Sequence, residues 1–170
     1  FSNKQILRVS YLKNWMDNYV NQYVELATSY DMIGDLFVLA GKNAIEKSKS
    51  GDPYIYGWMV DYFFNGYESM NIEQGITMLE PYINDPNCMT YKRTEINRRI
   101  IGIENLKAGS IAPDFSFKDN SGNEKTFQTY QSNSPYKLVL FWSADCEHCH
   151  AIIDALHKWH LKNTNELEVF

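Results

Sequence analysis

The chain lacks any apolar stretch near the ~20 residues needed to cross a bilayer, and no leader with a charged start and an apolar centre is visible. No transmembrane helix is therefore expected in this sequence. Basic excess is also missing: 16 Lys and Arg stand against 21 Asp and Glu, for a net charge of −5. Without a long basic run there is no electrostatic footprint for nucleic acid, and Lys92-Arg93 and Arg98-Arg99 read as the solvated face of a helix. No repeat of about 34 residues with a tetratricopeptide pattern is evident. Cysteine is scarce and odd in number, with three residues in 170, so one thiol is left over from any pairing. Phe1 stands where a starting methionine would be. The sequence is therefore expected to be a fragment or a processed product, and its missing leader says nothing of secretion.

What is present is concentrated in Phe141-Trp142-Ser143-Ala144-Asp145-Cys146-Glu147-His148-Cys149-His150. Upstream, Lys137-Leu138-Val139-Leu140-Phe141-Trp142 is a short apolar run after the turn signal Asn133-Ser134-Pro135, and reads as a buried strand. Downstream, Cys149, Ile152, Ile153, Leu156 and Trp159 recur at helical spacing on one face, with Glu147, Asp154, Lys158 and Lys162 on the other. Asp145 or Cys146 falls at the helix cap. Unpaired N–H groups and partial positive charge at such a position stabilise a thiolate. The spacing predicts an exposed Cys146 and a Cys149 sheltered one turn further on. Disulfide exchange needs that asymmetry between an accessible sulfur and a covered one.

Trp142 four residues ahead of a Cys-x-x-Cys at a strand-to-helix junction resembles the thioredoxin-like superfamily. Gly109-Ser110-Ile111-Ala112-Pro113-Asp114-Phe115, followed by Asp119-Asn120-Ser121-Gly122, resembles the opening of the envelope thiol–disulfide oxidoreductases of TlpA and ResA type, relatives of the AhpC/TSA group. There the segment forms an extra β-hairpin ahead of the core. The likeness covers residues 107–170. It implies Cys146 as nucleophile, Cys149 as resolving thiol, Glu147 and His148 as neighbours that tune the thiolate, and Trp142 as a supporting residue. It implies no cofactor and no metal. Its partners would be protein dithiols or disulfides and a redox donor, in a bacterial periplasm or cell envelope.

The sequence departs from that family in three places. Leu140 occupies the strand position where many thioredoxins carry a buried acid, so the proton-relay role is unassigned. Glu147-His148 replaces the Gly-Pro of reducing thioredoxins; protonated His148 would favour the thiolate and Glu147 would oppose it. Asn165-Glu166-Leu167-Glu168-Val169-Phe170 reads as the strand after the active-site helix, and the remaining strands, the final helix and the loop carrying the cis-proline fall beyond it. An unpaired sheet edge of this kind is seldom tolerated in isolation, and weak or no turnover is expected for the stretch as given, which lacks the proline loop that docks substrate in that family. Other readings of the motif stay open. Cys146-x-x-Cys149-His150 fits covalent haem attachment, although a strand runs into it and no distal methionine follows. Cys146, His148, Cys149 and His150 could bind zinc or copper, but lack a second distant ligand pair, for which Cys88 alone is poor. Ser143-x-x-Cys146 faintly matches a peroxidatic pattern without its proline.

Residues 1–106 read as a separate bundle of about five antiparallel helices. Leu12, Trp15, Met16, Tyr19, Tyr23 and Leu26 mark the first apolar face, and Ile33, Leu36, Phe37, Ala40, Ala44 and Ile45 the second, which ends near Ser48-Lys49-Ser50-Gly51. Asp52-Pro53 is a helix start signal, Ile55, Trp58, Met59, Tyr62 and Phe63 face inward, and Asn65-Gly66 begins the exit. Asn71-Ile72-Glu73-Gln74 resembles a capping box ahead of Ile76, Leu79 and Tyr82, and Thr90 or Thr94 caps a last helix bearing Ile96, Ile100 and Ile103. Aromatics at helical spacing read as packing, and Cys88 after Pro86-Asn87 as an incidental free thiol. Tyr67-Glu68-Ser69-Met70-Asn71-Ile72 after an aromatic-rich helix resembles the helical domain that precedes thioredoxin-like domains in envelope proteins of Bacteroidetes type. Asn105-Leu106-Lys107-Ala108-Gly109 is the expected boundary.

The expected class is α+β: an all-α helical domain (1–106), then an incomplete α/β thioredoxin-like domain (107–170). The expected activity is thiol–disulfide exchange with envelope proteins. The alternative is an envelope protein-binding module with a vestigial or incomplete redox domain.

Overall fold

The computed structural model describes residues 3–119, 121–163 and 165–170. Phe1 and the Asn120 of the proposed hairpin motif lie outside the described residues. The fold is mixed α+β, in two compact units, Phe1–Ile111 and Ala112–Phe170.

In the first unit a 3₁₀ turn at Lys4–Arg8 precedes α1 (Tyr11–Val24), α2 (Tyr30–Ser48), α3 (Pro53–Ser69), α4 (Glu73–Met78), α5 (Glu80–Ile83) and α6 (Arg93–Asn105). Asp52 caps α3 by accepting the Tyr54 N–H at 2.9 Å, with Pro53 in the first turn, as its sequence signal requires. α1 buries Leu12, Met16 and Val20, while Trp15 and Leu26, read as core, are exposed. Four residues per step keeps those three on a narrower stripe than the full aromatic row. α3 is the centre of the unit. It buries Ile55, Tyr56, Met59, Val60, Phe63, Phe64 and Tyr67, so apolar contact surrounds most of its circumference, and Trp58 and Tyr62 are half-buried.

Two sequence expectations fail here for identifiable reasons. α3 does not exit at Asn65-Gly66 but runs on to Ser69. Gly66 is a contact point: a side chain there would meet the Phe37 ring at 2.5 Å. Nor is Asn71 the cap of α4. It lies in the left-handed region (φ 53°) and closes the end of α3. The Ile72 N–H reaches back to the Tyr67 carbonyl at 2.8 Å and the Asn71 N–H to that of Glu68 at 3.2 Å. This pair of bonds is the Schellman closure, in which asparagine is the usual substitute for glycine. Ile72 itself stands at the cap of α4 with no side-chain bond. Pro81, which has no N–H to continue the ladder, accompanies the division of the following run into α4 and α5.

Thr94 lies inside α6, whose cap position is Lys92. Thr90 serves two residues earlier: its hydroxyl accepts the Lys92 N–H at 3.0 Å and donates to Asp61, which also accepts the Tyr91 N–H at 3.1 Å. α6 buries Ile96, Ile100 and Ile103, the stripe read from the sequence. Among the described residues no helix is long and apolar enough to cross a membrane.

The second unit holds two small sheets. β1 (Ser116–Lys118) and β2 (Glu124–Thr126) pair antiparallel, Phe117 opposite Lys125. β3 (Tyr136–Leu138) and β4 (Leu167–Val169) pair parallel, Lys137 opposite Glu168, with α7 (Glu147–His160) as the crossover. The pairing extends past β3 through Phe170 N–H to Leu138 and Leu140 N–H to Phe170, but stops short of the predicted strand end. Phe141 is 90% exposed as a result. Edge-on aromatic contacts of Phe170 with Phe117, Phe127 and Tyr130 at 5.0–5.4 Å hold the unit together. The Lys137 ammonium adds bonds to the Phe127 and Tyr130 carbonyls at 3.0 and 2.5 Å.

Gly57 tests the packing of α3. A Cβ there would overlap the backbone of Met89 and Thr90, which cannot swing aside. The helix-propensity gain of alanine, about 1 kcal/mol, is outweighed by overpacking of about 2 kcal/mol or more. Gly57→Ala is expected to lower the urea midpoint followed by far-UV circular dichroism. Gly102→Ala in α6, where the added methyl meets nothing within 4 Å, is expected to leave it unchanged or raise it.

Candidate active site

The parallel pair β3–β4 delivers the chain to α7 through an extended stretch and a tight turn at Ala144-Asp145. The Cys146 N–H closes that turn on the Ser143 carbonyl at 3.2 Å. Cys146 is the N-cap of α7, with extended backbone (φ −99°, ψ 100°). Its sulfur accepts the Cys149 N–H at 3.2 Å, a role usually filled by a serine or aspartate oxygen. Its carbonyl accepts the Cys149 and His150 N–H groups at 3.0 and 3.3 Å. Cys146 and Cys149 form a disulfide across this first turn, with Cα atoms 5.2 Å apart. Three residues of spacing at a helix start bring the two sulfurs together without distorting the helix.

The expected burial asymmetry is absent: Cys146 and Cys149 are both half-buried. Cys149, Ile153, Leu156 and His160 form the half-buried stripe of α7, whereas Ile152 and Trp159, predicted on that face, are 58% and 42% exposed. The stripe follows steps of four, three and four residues and turns away from the two larger side chains. Glu147 and His148 are exposed on the first turn, and Trp142 is 57% exposed on the approach to it. Leu140 lines an apolar cavity with Ile153, Leu156, His157, His160 and Val169. There the His160 Nδ1 is buried without a hydrogen-bond partner among the described residues. Neither imidazole was singled out from the sequence, since a histidine in the last turn of a helix reads as a partner for the dipole.

His150 was read only as a haem or metal ligand. Its ring turns back beneath the loop, and Nε2 lies 2.8 Å from the Ala144 carbonyl. A carbonyl only accepts, so Nε2 carries the proton. Among the described residues no group of three or more His, Cys, Asp and Glu is arranged to hold a metal ion.

Comparison with family models, with curated proteins and with solved structures gives no match to this chain. The chemistry is therefore argued from the local geometry.

Cys88 differs from the other two cysteines in every respect. It is 1% exposed within the helical core, and burial, the dominant influence, pushes its thiol up to about 11. At neutral pH it is an un-ionised apolar group. In the reduced native protein, iodoacetamide at pH 8 is expected to alkylate Cys146 and Cys149, and Cys88 only after unfolding. Peptide mass mapping checks this, and labelling of Cys88 in the folded state would contradict it.

Proposed function

We propose that the protein is a thiol–disulfide oxidoreductase in which Cys146 is the attacking sulfur and Cys149 resolves. The observation that carries this reading is the double role of Cys146, which is at once one half of a disulfide and the cap that receives the Cys149 N–H. When the disulfide is opened, the same sulfur becomes a thiolate at the positive end of a 14-residue helix with an N–H directed at it. Both features favour the charged form relative to a free thiol near 8.5.

As a reductant, the Cys146 thiolate attacks one sulfur of a protein disulfide. A Cys146–substrate bond forms, the substrate disulfide breaks, and its second sulfur leaves as a thiolate. The Cys149 thiolate then attacks the Cys146 sulfur, restoring the internal disulfide and releasing the other substrate thiolate. Two electrons pass from the enzyme dithiol to the substrate, and the reverse sequence makes the enzyme an oxidant. Half-burial of both cysteines supports access by a polypeptide. A compartment where disulfides persist, such as a bacterial envelope, fits the chemistry. On this reading the helical unit is a spacer or a surface for docking partners.

Exchange with glutathione disulfide separates the roles. Cys146→Ser is expected to lose rapid exchange, falling to the rate of an exposed model thiol or below. Cys149→Ser is expected to accumulate a stable glutathione adduct on Cys146, detected by intact mass. A Cys146→Ser protein that reduces insulin or exchanges as fast as the unmodified chain would refute the assignment.

A further inference from the structure

We infer that His150 is a positioning residue for the Cys146 thiolate, acting as a latch that matters most in the reduced state. The inference rests on the oxidoreductase reading and adds a residue that the motif itself does not specify.

Five ties hold Cys146 at the cap in the oxidised protein. One is covalent, the disulfide to Cys149. The others are hydrogen bonds: Cys149 N–H to the Cys146 sulfur, the two amides of Cys149 and His150 to the Cys146 carbonyl, and His150 Nε2–H to the Ala144 carbonyl. The last is the only one of these made by a side chain other than a cysteine, and it spans six residues, from the first turn of α7 back to the loop that leads into it. Ala144 lies in the turn closed by the Cys146 N–H on Ser143, so fixing its carbonyl fixes the direction from which the chain enters the cap. Among the described residues no other side chain of that loop bonds to α7: the Ser143 hydroxyl accepts the Asp145 N–H within the turn, at 3.4 Å.

The energetic consequence has a sign. While the disulfide is closed, the 5.2 Å Cα separation is enforced covalently and the latch is largely redundant. Once two electrons and two protons convert it to the dithiol, that tether is lost, and the loop stays in register with the helix only through hydrogen bonds. The latch therefore stabilises the reduced form more than the oxidised form. It also keeps the Cys146 sulfur within reach of the Cys149 N–H and favours the thiolate. Removing it should make the dithiol easier to oxidise and raise the pH at which Cys146 ionises.

The test uses the full chain and three forms: unmodified, His150→Ala and His150→Gln. A glutamine amide reaches about as far as Nε2 and can donate to the same carbonyl, whereas alanine cannot. Each is equilibrated in glutathione buffers of set ratio, and Cys146 ionisation is followed by thiolate absorbance. His150→Ala is expected to shift the equilibrium toward the disulfide by roughly threefold to tenfold, the weight of one intramolecular hydrogen bond. His150→Gln is expected to stay within about twofold of the unmodified chain. His150 is exposed, so its replacement leaves folding to the rest of the unit. Imidazole ¹⁵N shifts of the unmodified protein provide a reading independent of any variant, with Nε2–H retained on reduction if the latch holds. An unchanged equilibrium in His150→Ala, the same shift in His150→Gln as in His150→Ala, or an Nδ1–H ring in the reduced protein would each overturn the inference. The glutathione equilibrium is defined whether or not the protein turns over a polypeptide substrate, so failure of the latch and failure of the oxidoreductase assignment are told apart.

Discussion

One amide governs the chemistry of the second unit: the N–H of Cys149, which a helix start leaves without a backbone partner four residues back. In most helices an oxygen from serine, threonine or aspartate accepts it. Here a sulfur does, at 3.2 Å, sharing the N–H with the Cys146 carbonyl at 3.0 Å. The closeness of the two sulfurs goes with that exchange of sulfur for oxygen, and on the proposed reading so does the readiness of Cys146 to carry charge. Moving the first cysteine one position either way would keep both thiols and lose the cap.

The two units are stabilised by different means. The helical unit encloses a contiguous core in which Tyr67 is typical: its ring packs edge-on to Phe37 at 5.0 Å and its hydroxyl donates to the Phe37 carbonyl at 3.4 Å. Burial raises its phenol well above the ordinary range. Among the described residues of the second unit, Phe127 is the one hydrophobic side chain counted as buried. At about 2 kcal/mol for a buried large apolar side chain, this unit has little hydrophobic drive. It relies on the aromatic edges around Phe170, on Lys137 and its two carbonyls, and on the Tyr130 hydroxyl donating to Glu168 at 2.6 Å. The disulfide closes too short a loop to restrict the unfolded chain as a long-range staple does.

Much of this was legible in the residues because the signals were local. Asp52-Pro53 states a helix start whatever packs around it, and Ile96, Ile100 and Ile103 state a buried stripe. Cys146 at a cap followed from an apolar run that changes period. Three features were not legible. Asn71 carries the same residue type whether it opens one helix or closes another, and only the backbone sign at φ 53° distinguishes them. The α7 stripe departs from the predicted face because burial is set by what the sheet offers, not by the hydrophobicity of Ile152 or Trp159. His150 was invisible as a latch because its partner is a backbone carbonyl, which leaves no mark on the sequence.

On the proposed reading, exposure separates the neighbours that could tune Cys146. Glu147 and His148 carry the charges that the motif suggests as opposing influences, yet both side chains are exposed. In water a full charge 4 Å away is worth about 1 kcal/mol before salt screening, and the long exposed side chains do not hold even that distance. A hydrogen bond from a fixed amide to an anionic sulfur is worth about 1.5–3 kcal/mol and costs no further ordering once the helix has formed. The fixed N–H of Cys149 therefore outweighs the two mobile charges, which also oppose each other. On the proposed reading, the ease of oxidation then follows from how well the loop holds sulfur against amide when the covalent bond is gone. Among the described residues, the tie between His150 and Ala144 is the non-cysteine side-chain interaction that bears on that geometry.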